Sequence, residues 1–445
     1  MVSVFGRKDT RFSTKWNFWG GKAYTKNIDF TPTQKESHAG RQGESVNTMK
    51  KIGTRCFQKA IFAAQCIAPW RIPNQIWEAG GIQKCADILA ERKCKAVLIV
   101  TTAGAVKRGM LIRLTKQLEG KGIRFALFDQ AAENPTVEHI EAGYTQYRVF
   151  GADSLIAVGG GSVIDCAKLI GAKAVRPNWN VGQMRGLMKV HRRLPPLIAV
   201  PTTAGSGSEG TLAAVVTDEK QHVKYSVNDI SLIPHYAVFD VNLLYTLPQD
   251  RTAQTGMDAL THGVEAFLGQ SGTKFSNRFA KLSVQRVFQH LLLAYEVPEN
   301  TVARHGMQEA AFYAGLAFTR AYVGYVHALS HAVGAFYHTP HGLANAVLLP
   351  KVLRAYGSAV EGKLAKLAEE AGIRHGTVRQ KAEQFIVAIE TLNAKMHIPE
   401  NLPEIRRADI PALICHTMQE CIPLYPVPKF LDEKILEKIL NDAAG

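Results

Sequence analysis

The segment S-L-I-A-V-G-G-G-S-V-I-D-C-A-K, residues 154–168, passes from a short apolar run through three glycines into a helix-like pattern. Such a run is typical of a strand buried on both faces of a parallel sheet. Glycines 159–161 lack a Cβ atom, so backbone N–H groups can close on an anion at the start of the following helix. The segment therefore predicts a strand, a turn that binds pyrophosphate and a helix, although a glycine triplet alone also fits a plain tight turn.

A second loop of small and hydroxyl-bearing residues supports the first. It reads P-T-T-A-G-S-G-S-E (201–209) and follows another apolar run at 196–201. Two such loops at the carboxyl ends of strands form one crevice, which is where open α/β sheets bind dinucleotides. Together the two loops favour a cofactor site over a plain turn.

The distribution of strand and helix patterns predicts two halves. Apolar runs also occur at 95–101 and 124–128, and strand-like pieces follow at 212–218 and 235–240. After Leu247-Pro248 the strand pattern stops and helical periods take over, for example at 277–295 and 358–371. We predict an α/β dinucleotide-binding domain with a Rossmann-like parallel sheet, followed by an all-α metal-binding domain. The expected boundaries are 1–50 for a basic, mostly irregular extension, 51–246 for the α/β domain and 247–445 for the helical domain.

Histidines are concentrated in the predicted helical half. Residues 255–342 hold seven of the fifteen histidines. Asp258 and His262 are four residues apart in a helix-like pattern, and His327 and His331 repeat that spacing. Side chains at i and i+4 leave the same face of a helix one turn apart. Each pair can therefore act on one site.

A third helix is expected to begin at Thr339-Pro340-His341, with Thr339 as N-cap and Pro340 in the first position, which would direct His341 outward. One carboxylate and three imidazoles suit Fe²⁺, Zn²⁺, Co²⁺ or Mn²⁺, and the candidate ligands are Asp258, His262, His327 and His341. The alternative is a group of core histidines whose ring nitrogens have found other hydrogen-bond partners.

The segments T-G-M-D-A-L-T-H and G-Y-V-H-A-L-S-H-A-V-G-A-F-Y-H-T-P-H-G-L-A-N-A resemble the metal-binding half of the iron-containing alcohol dehydrogenase family. The loops G-G-G-S-V-I-D and P-T-T-A-G-S-G-S-E resemble that family's cofactor motifs. The resemblance implies that a catalytic divalent metal, Fe²⁺ first and Zn²⁺ second, is held by Asp258, His262, His327 and His341. It also implies that His331 is a catalytic residue beside the nicotinamide and the substrate.

The resemblance implies a cofactor site and a substrate pocket as well. The expected cofactor contacts are Thr102, Gly160, Gly161, Ser162, Asp165, Thr202, Thr203, Ser206, Lys224 and Leu243, and the expected pocket residues are Ala213, Phe318 and Tyr322. In the family the first strand commonly ends in V-T-D, whose Asp repels a 2′-phosphate, but this chain has Thr102 there, with Lys107 and Arg108 following. The cofactor is therefore expected to be NAD or NADP.

These observations predict a metal-dependent, NAD(P)-linked alcohol dehydrogenase or aldehyde reductase. Three enzymes of related type remain alternatives: a polyol dehydrogenase of the glycerol type, a metal-free enzyme like maleylacetate reductase, and a lyase like dehydroquinate synthase. The segment 319–324, T-R-A-Y-V-G, is bulkier than the family's usual small residues, which argues against a standard short diol as substrate. A non-enzymatic binding protein is the least favoured interpretation.

Composition restricts partners and compartment. The net charge of +15 is dispersed, without a basic stripe interleaved with aromatic residues, so nucleic-acid binding is not expected. No apolar run reaches the length of a spanning helix. The seven cysteines are odd in number and form no C-x-x-C pair, which favours reduced thiols and a cytoplasmic location. The resemblance implies a homodimer that acts on a small-molecule alcohol or aldehyde.

Overall fold

A computed structural model describes residues 40–220 and 223–445. Residues 53–445 form one compact unit. The strands are β1 (Asn74–Trp77), β2 (Ala96–Val100), β3 (Arg124–Phe128), β4 (Ser154–Gly159), β5 (Gly186–Leu187), β6 (Leu197–Pro201), β7 (Ala213–Asp218), β8 (Val223–Asn228) and β9 (Tyr236–Phe239).

The helices alternate with strands in the first half of this unit and follow one another in the second. They are α1 (Gly40–Ile67), α2 (Lys84–Glu91), α3 (Ala103–Lys107), α4 (Ile112–Gly120), α5 (Val137–Phe150), α6 (Gly161–Val175), α7 (Gln249–Leu268), α8 (Lys274–Glu296), α9 (Thr301–Ala321), α10 (Tyr325–Tyr337), α11 (His341–Tyr356), α12 (Glu361–Glu370), α13 (Val378–Lys395), α14 (Ile410–Cys421) and α15 (Glu433–Ala444). The last strand ends at Phe239 and the first helix of the helical half begins at Gln249.

The main sheet has six strands in the order β1-β9-β6-β4-β2-β3. Every neighbouring pair is parallel. Strands β2, β4 and β6 are buried along their whole length, as expected for a sheet covered on both faces. All carboxyl ends therefore lie at one edge, and the loops after β4 and β6 are neighbours there.

The predicted fold class is confirmed: a parallel sheet with helices precedes an all-helical part. The runs at 124–128 and 196–201 became β3 and β6, while the strands β1, β5 and β8 were not anticipated. The piece at 212–218 is also a strand, β7, but it pairs antiparallel with β8 in a separate sheet ordered β5-β8-β7. Alternation along β7 gives it one buried and one half-buried face, which suits an outer sheet.

Helix α1 begins at Gly40, so it starts inside the segment 1–50 that we predicted to be mostly irregular. The rest of that predicted extension, residues 1–39, lies outside the described residues. Among the described helices, none combines the length and the apolar character needed to cross a bilayer.

Candidate metal and cofactor site

Three of the four expected metal ligands converge in the helical half. Ligand atoms of Asp258 on α7, His327 on α10 and His341 at the start of α11 all lie within 4.8 Å of one another. Oδ1 of Asp258 is 3.7 Å from Nε2 of His327 and 3.5 Å from Nε2 of His341. Asp258 and His327 are buried, whereas His341 is partly exposed. The arrangement is a deep cluster with one open side.

His262, the fourth expected ligand, lies at the same carboxylate. Its Nδ1 is 3.6 Å from Oδ1 of Asp258 and has no hydrogen-bond partner, although the residue is buried. The ring stacks on Phe318, with 4.1 Å between ring centroids. His262 thus lies beside the cluster, and its buried Nδ1 neither donates nor accepts a hydrogen bond.

Asn345 was not anticipated from sequence. Its Nδ2 donates to Oδ1 of Asp258 at 2.9 Å and lies 3.1 Å from Nε2 of His341. Its Oδ1 is buried without a partner. Among the described residues outside the four expected ligands, the Asn345 amide is thus the one group that contacts both Asp258 and His341. The i, i+4 spacing from His341 in H-G-L-A-N was the available signal.

Burial and mutual charge shift the pKa values in the cluster. Burial lowers the pKa of His262 to about 3 and that of His341 well below its usual range. Burial opposes the charged form of Asp258, but the surrounding histidines hold its pKa below the usual range. Burial likewise opposes the charged form of His327, yet hydrogen bonds to Asp258 and Glu265 raise its pKa to about 9. The site thus combines an anionic carboxylate with two neutral imidazoles.

Glu265 holds His327 from the side opposite to Asp258. Its Oε2 is 2.6 Å from Nδ1 of His327 and also accepts from the backbone N–H of Gly324, while Oε1 accepts from that of Val326. A buried acid needs hydrogen-bond donors, and Glu265 is only 5% exposed. Both of its carboxylate oxygens accept from groups at the start of α10. Glu265 was not predicted from the sequence, although a glutamate inside H-G-V-E-A-F was a signal.

His331 lies beside the cluster and contacts a second carboxylate. Its Nδ1 is 2.6 Å from Oε1 of Glu420, and the hydroxyl of Tyr425 donates to that same oxygen at 2.6 Å. Burial opposes the ionised form of Glu420, but His331 and Tyr425 lower its pKa. The rings of His331 and His341 stack with centroids 5.0 Å apart. His331 therefore lies next to the cluster with its Nδ1–H committed to Glu420.

The two glycine-rich loops pack directly on each other. A Cβ atom at Gly160 would lie 3.2 Å from Oγ1 of Thr203, and one at Gly161 would lie 2.5 Å from Oγ of Ser206. The backbone N–H of Thr202 donates to Gly159 at the end of β4. The predicted cofactor residues of both loops thus form one crevice at the carboxyl edge of the sheet, with the N-terminus of α6 exposed to it.

Asp165 and Ser162 serve the crevice differently. Oδ1 of Asp165 accepts from the hydroxyl of Ser208 at 2.6 Å, and Oδ2 accepts from the backbone N–H of Val215. The Asp165 carboxylate therefore links α6 to the second loop and to β7 through these two hydrogen bonds. Ser162 accepts from the backbone N–H of Asn134, which brings the loop after β3 into the crevice.

The second loop also docks on the helical half. A Cβ atom at Gly205 would lie 2.6 Å from the carbonyl oxygen of Thr255 on α7, and one at Gly207 would lie 2.7 Å from Cα of Gly315 on α9. Gly207 has a φ of 60°, which a residue with a side chain rarely adopts. Only glycines allow this approach, and it sets the crevice against the helices that carry Asp258 and Phe318.

Lys224 and Leu243 have different surroundings. Nζ of Lys224 donates to Oδ1 of Asn134 at 2.8 Å, and its charge interacts with Glu420 and Asp165. Lys224 therefore lies between the crevice and the His331 pair. Leu243 is buried in a short 3-10 helix after β9.

The residues predicted to select the nucleotide lie at the end of β2. Thr102 is the N-cap of α3, and its hydroxyl accepts from the backbone N–H of Ala105 at 3.2 Å. The guanidinium of Arg108 folds back so that Nη1 would lie 3.2 Å from a Cβ atom on Gly104. A cationic side chain thus lies over the turn that Thr102 begins, and both Lys107 and Arg108 are exposed.

The predicted substrate-pocket residues lie at the end of α9 and at the start of β7. Tyr322 follows α9 with a φ of 63°, a left-handed conformation that costs an ordinary side chain free energy, and burial raises the pKa of its hydroxyl to about 12. Phe318, one turn earlier, covers His262. The carbonyl of Ala213 accepts from Nζ of Lys168, which anchors the start of β7.

One predicted cap is wrong. Helix α11 begins at His341 with Pro340 as its N-cap residue, one position later than expected. The hydroxyl of Thr339 instead donates to Oε1 of Glu404 at 2.5 Å. A tertiary hydrogen bond has thus replaced the local one. His341 still points into the site because it occupies the first turn.

Comparisons with known proteins agree with this architecture. The model of the family "Iron-containing alcohol dehydrogenase" matches residues 73–241, and that of "Fe-containing alcohol dehydrogenase family, C-terminal" matches residues 252–444. Alcohol dehydrogenase 4 of Saccharomyces cerevisiae (strain YJM789) is 33% identical over 366 residues, covering 82% of this chain and 95% of that protein. The NADPH-dependent butanol dehydrogenase of Clostridium saccharobutylicum is 34% identical over 336 residues, covering 75% and 85%.

A crystal structure of 1,3-propanediol oxidoreductase has a TM-score of 0.81 and 32% identity, and covers 84% of this chain and 99% of that one. Fold, site and relatives together define an oxidoreductase of the alcohol dehydrogenase type. The chain belongs to the iron-containing alcohol dehydrogenase family.

Proposed function

We propose that this enzyme passes a hydride between C4 of a nicotinamide cofactor and the carbon of an alcohol or aldehyde, in a cleft between the glycine-rich loops and the histidine cluster. The observation that carries the proposal is the convergence of Asp258, His327 and His341 beside a loop crevice that docks on the same helices. Neither a binding protein nor a metal-free reductase needs this donor set.

The residues present fit a divalent metal. In a tetrahedral site with bonds of about 2.1 Å, neighbouring donors lie about 3.4 Å apart. The Asp258 oxygen lies 3.5 to 3.7 Å from a nitrogen of each of three histidines. One of these nitrogens, Nδ1 of His262, is buried without a hydrogen-bond partner, and a metal would give it one. We therefore propose Asp258, His262, His327 and His341 as ligands of Fe²⁺, with Zn²⁺ as a compatible substitute.

A metal at this position would supply Lewis acidity toward the oxygen of the alcohol or aldehyde. The chain's own contribution begins with Glu265, which accepts the Nδ1 proton of His327 and so directs Nε2 toward Asp258. Ser330 does the same for His341, since its hydroxyl contacts Nδ1 at 3.0 Å. The helices thus present the ring nitrogens already oriented.

We propose that His331 holds and releases the proton that accompanies the hydride. Oxidation of an alcohol requires the hydroxyl proton to leave, and reduction of an aldehyde requires it to return. Glu420 accepts Nδ1–H of His331, which leaves Nε2 as the free position of the ring. Tyr425 fixes the carboxylate in turn. Glu420 and Tyr425 are positioning residues in this scheme.

For the cofactor, we propose that the diphosphate lies on the crevice of Gly160, Gly161 and the second loop, with Lys224 adding a positive charge nearby. Close packing of the loops leaves a backbone surface without Cβ atoms. This surface is bordered by Ser162, Thr202, Thr203 and Ser206. Leu243, in the 3-10 helix after β9, is proposed to contact the cofactor as well. Thr102 and Arg108 lack negative charge, so either NAD or NADP is proposed to bind.

The substrate is proposed to be an alcohol or aldehyde with an apolar chain. Phe318 and Tyr322 put two aromatic rings at α9, beside His262, and Ala213 begins the facing strand β7. Such a lining favours apolar carbon over the several hydroxyls of a polyol. We also propose a homodimer and a cytoplasmic location, the latter because all seven cysteines are free thiols.

The test is a panel of aldehydes assayed with NADH and with NADPH under anaerobic conditions after Fe²⁺ loading. We expect turnover of linear aldehydes at rates above that of dihydroxyacetone, the carbonyl form of a polyol substrate. Lack of turnover with every aldehyde, by a protein with full metal content, would contradict the proposed reaction.

A further inference from the structure

A basic groove lies at the edge of the main sheet opposite to the cofactor crevice. It is a shallow groove open to solvent, with a volume of about 490 Å³, and is lined by Arg71, His191, Arg192, Arg193, Ile230 and Ser231. These residues precede β1, β6 and β9, whereas the cofactor loops follow β4 and β6. A strand of five residues rises about 16 Å. The groove is therefore separate from the active site.

The groove carries positive charge that the protein does not neutralise. Arg71 donates to the backbone carbonyls of Ser231 and Ile233, and these are neutral partners. Arg92 donates to the hydroxyl of Tyr236. Among the described residues, no carboxylate pairs with Arg71, Arg92 or Arg193. Burial, with the charges of Arg193 and Arg92, lowers the pKa of Arg71 to about 10.

The nearest acid is already committed. Asp229 is 1% exposed, and its Oδ2 accepts from the backbone N–H of His191 while Oδ1 accepts from that of Ser231. Its carboxylate therefore shapes the loop at the groove and faces backbone donors. The guanidinium groups remain the polar surface that a ligand would meet.

Two buried polar groups beside these arginines have no partner. His235 is 7% exposed, and its Nδ1 accepts from the backbone N–H of Leu197 at 3.1 Å. The proton of the neutral ring must therefore be on Nε2, which has no hydrogen-bond partner. Oγ of Ser231, in the groove lining, is likewise buried and unpartnered. Buried donors without partners are rare in native proteins and call for an explanation.

The imidazole of His235 lies within the field of the same arginines. Burial, together with the charges of Arg71, Arg92 and Arg193, lowers the pKa of His235 to about 3. The ring is therefore neutral at physiological pH and can act only as an Nε2–H donor.

We propose that this groove binds a small molecule through a phosphate group. Arginine guanidinium groups present forked donors that match tetrahedral oxyanions, and Arg71, Arg192 and Arg193 all line the groove in which a phosphate monoester would accept from them. A planar carboxylate has fewer acceptor positions and half the charge. The volume falls within the range of small-ligand pockets, which leaves room for the remainder of a phosphorylated metabolite.

The test is calorimetric titration of the full-length protein with inorganic phosphate and with glucose 6-phosphate, at constant ionic strength. Saturating NAD⁺ is present to block the cofactor crevice. Arg192→Ala and Arg193→Ala each remove an exposed guanidinium from the groove. Arg374→Ala, at an exposed position in the helical half, is the matched loss of charge.

We expect saturable binding that weakens about ten-fold or more in Arg192→Ala and in Arg193→Ala, and that Arg374→Ala leaves unchanged. Absence of binding to the unaltered protein would overturn the proposal. An equal weakening in Arg374→Ala would also overturn it, because the effect would then be one of net charge. Sedimentation with phosphatidic acid vesicles, without binding of either soluble phosphate, would show a lipid surface as the ligand and overturn the small-molecule assignment.

Discussion

Nδ1 of His327 lies 2.6 Å from Oε2 of Glu265, and both side chains are buried. The same carboxylate accepts backbone N–H groups at the start of α10, so it fixes the helix and the ring at once. A glutamine here would put an N–H₂ donor where one carboxylate oxygen now accepts, so either Nδ1–H of His327 or a backbone N–H at the start of α10 would lose its acceptor.

We predict that Glu265→Gln weakens metal binding by about 10- to 100-fold. The measurement is metal retained after dialysis against graded chelator concentrations. Glu299→Gln, at an exposed loop position, is the control and should retain metal like the unaltered protein. Equal retention in Glu265→Gln would show that the carboxylate is only a structural anchor.

Glu420 and Tyr425 allow a graded test of how His331 is positioned. Glu420→Gln removes the charged acceptor of Nδ1–H, and we expect kcat to fall about ten-fold or more with little change in KM. Tyr425→Phe removes one hydrogen bond to that carboxylate, and a fall of about two- to ten-fold is expected. Metal content should be unchanged in both variants. A rise in KM alone, with kcat intact, would argue against a role for this pair in the proton step.

The loop crevice can be tested at Gly161, where a Cβ atom would lie 2.5 Å from Oγ of Ser206. Gly161→Ala should force the two loops apart and weaken cofactor binding by about ten-fold or more. Gly160→Ala meets Thr203 at 3.2 Å and should have a smaller effect. Fluorescence titration with NAD(P)H measures both, and metal content serves as the control for folding. Identical affinity in Gly161→Ala would place the diphosphate elsewhere.

Nucleotide preference is expected to depend on Thr102. An aspartate here would repel a 2′-phosphate by roughly 1 to 3 kcal/mol at a partly exposed site, so Thr102→Asp should lower kcat/KM for NADP(H) by about ten-fold or more. The value for NAD(H) should change far less. Arg108→Ala should act in the same direction, since its guanidinium lies over Gly104. An unmoved ratio of NADP(H) to NAD(H) efficiency in both variants would contradict the assignment of this turn to nucleotide selection.

The features that the sequence predicted correctly are those that depend on local patterns of residues, such as apolar runs and helical spacing. The buried run before Gly159 became β4, and the i, i+4 spacing put His327 and His331 on one helix face. It did not reveal Glu420, because this residue reaches His331 only through packing of α14 on α10 and lies 89 positions later. Thr339 looked like a helix cap, yet a tertiary bond to Glu404 outweighed that local preference.

Of the functional residues that were not predicted, Glu265 is the one that the sequence alone could have indicated. Glu265 interrupts an apolar helix face and therefore had to find donors, which a count of buried acids could have suggested. Asn345 needed knowledge that α7 and α11 pack together, since it joins Asp258 across 87 positions. His235 gave no signal in sequence, because its isolation arises from loops that meet only in the folded chain.

The most direct test of the account is metal stoichiometry measured alongside turnover. The protein is purified anaerobically, its metal is quantified, and aldehyde reduction is followed before chelation, after chelation and after addition of Fe²⁺, with His341→Ala treated in parallel. We predict about one divalent metal per chain, loss of turnover with loss of metal, recovery with Fe²⁺, and neither metal nor recovery in His341→Ala. Undiminished turnover by metal-free protein would contradict the central claim.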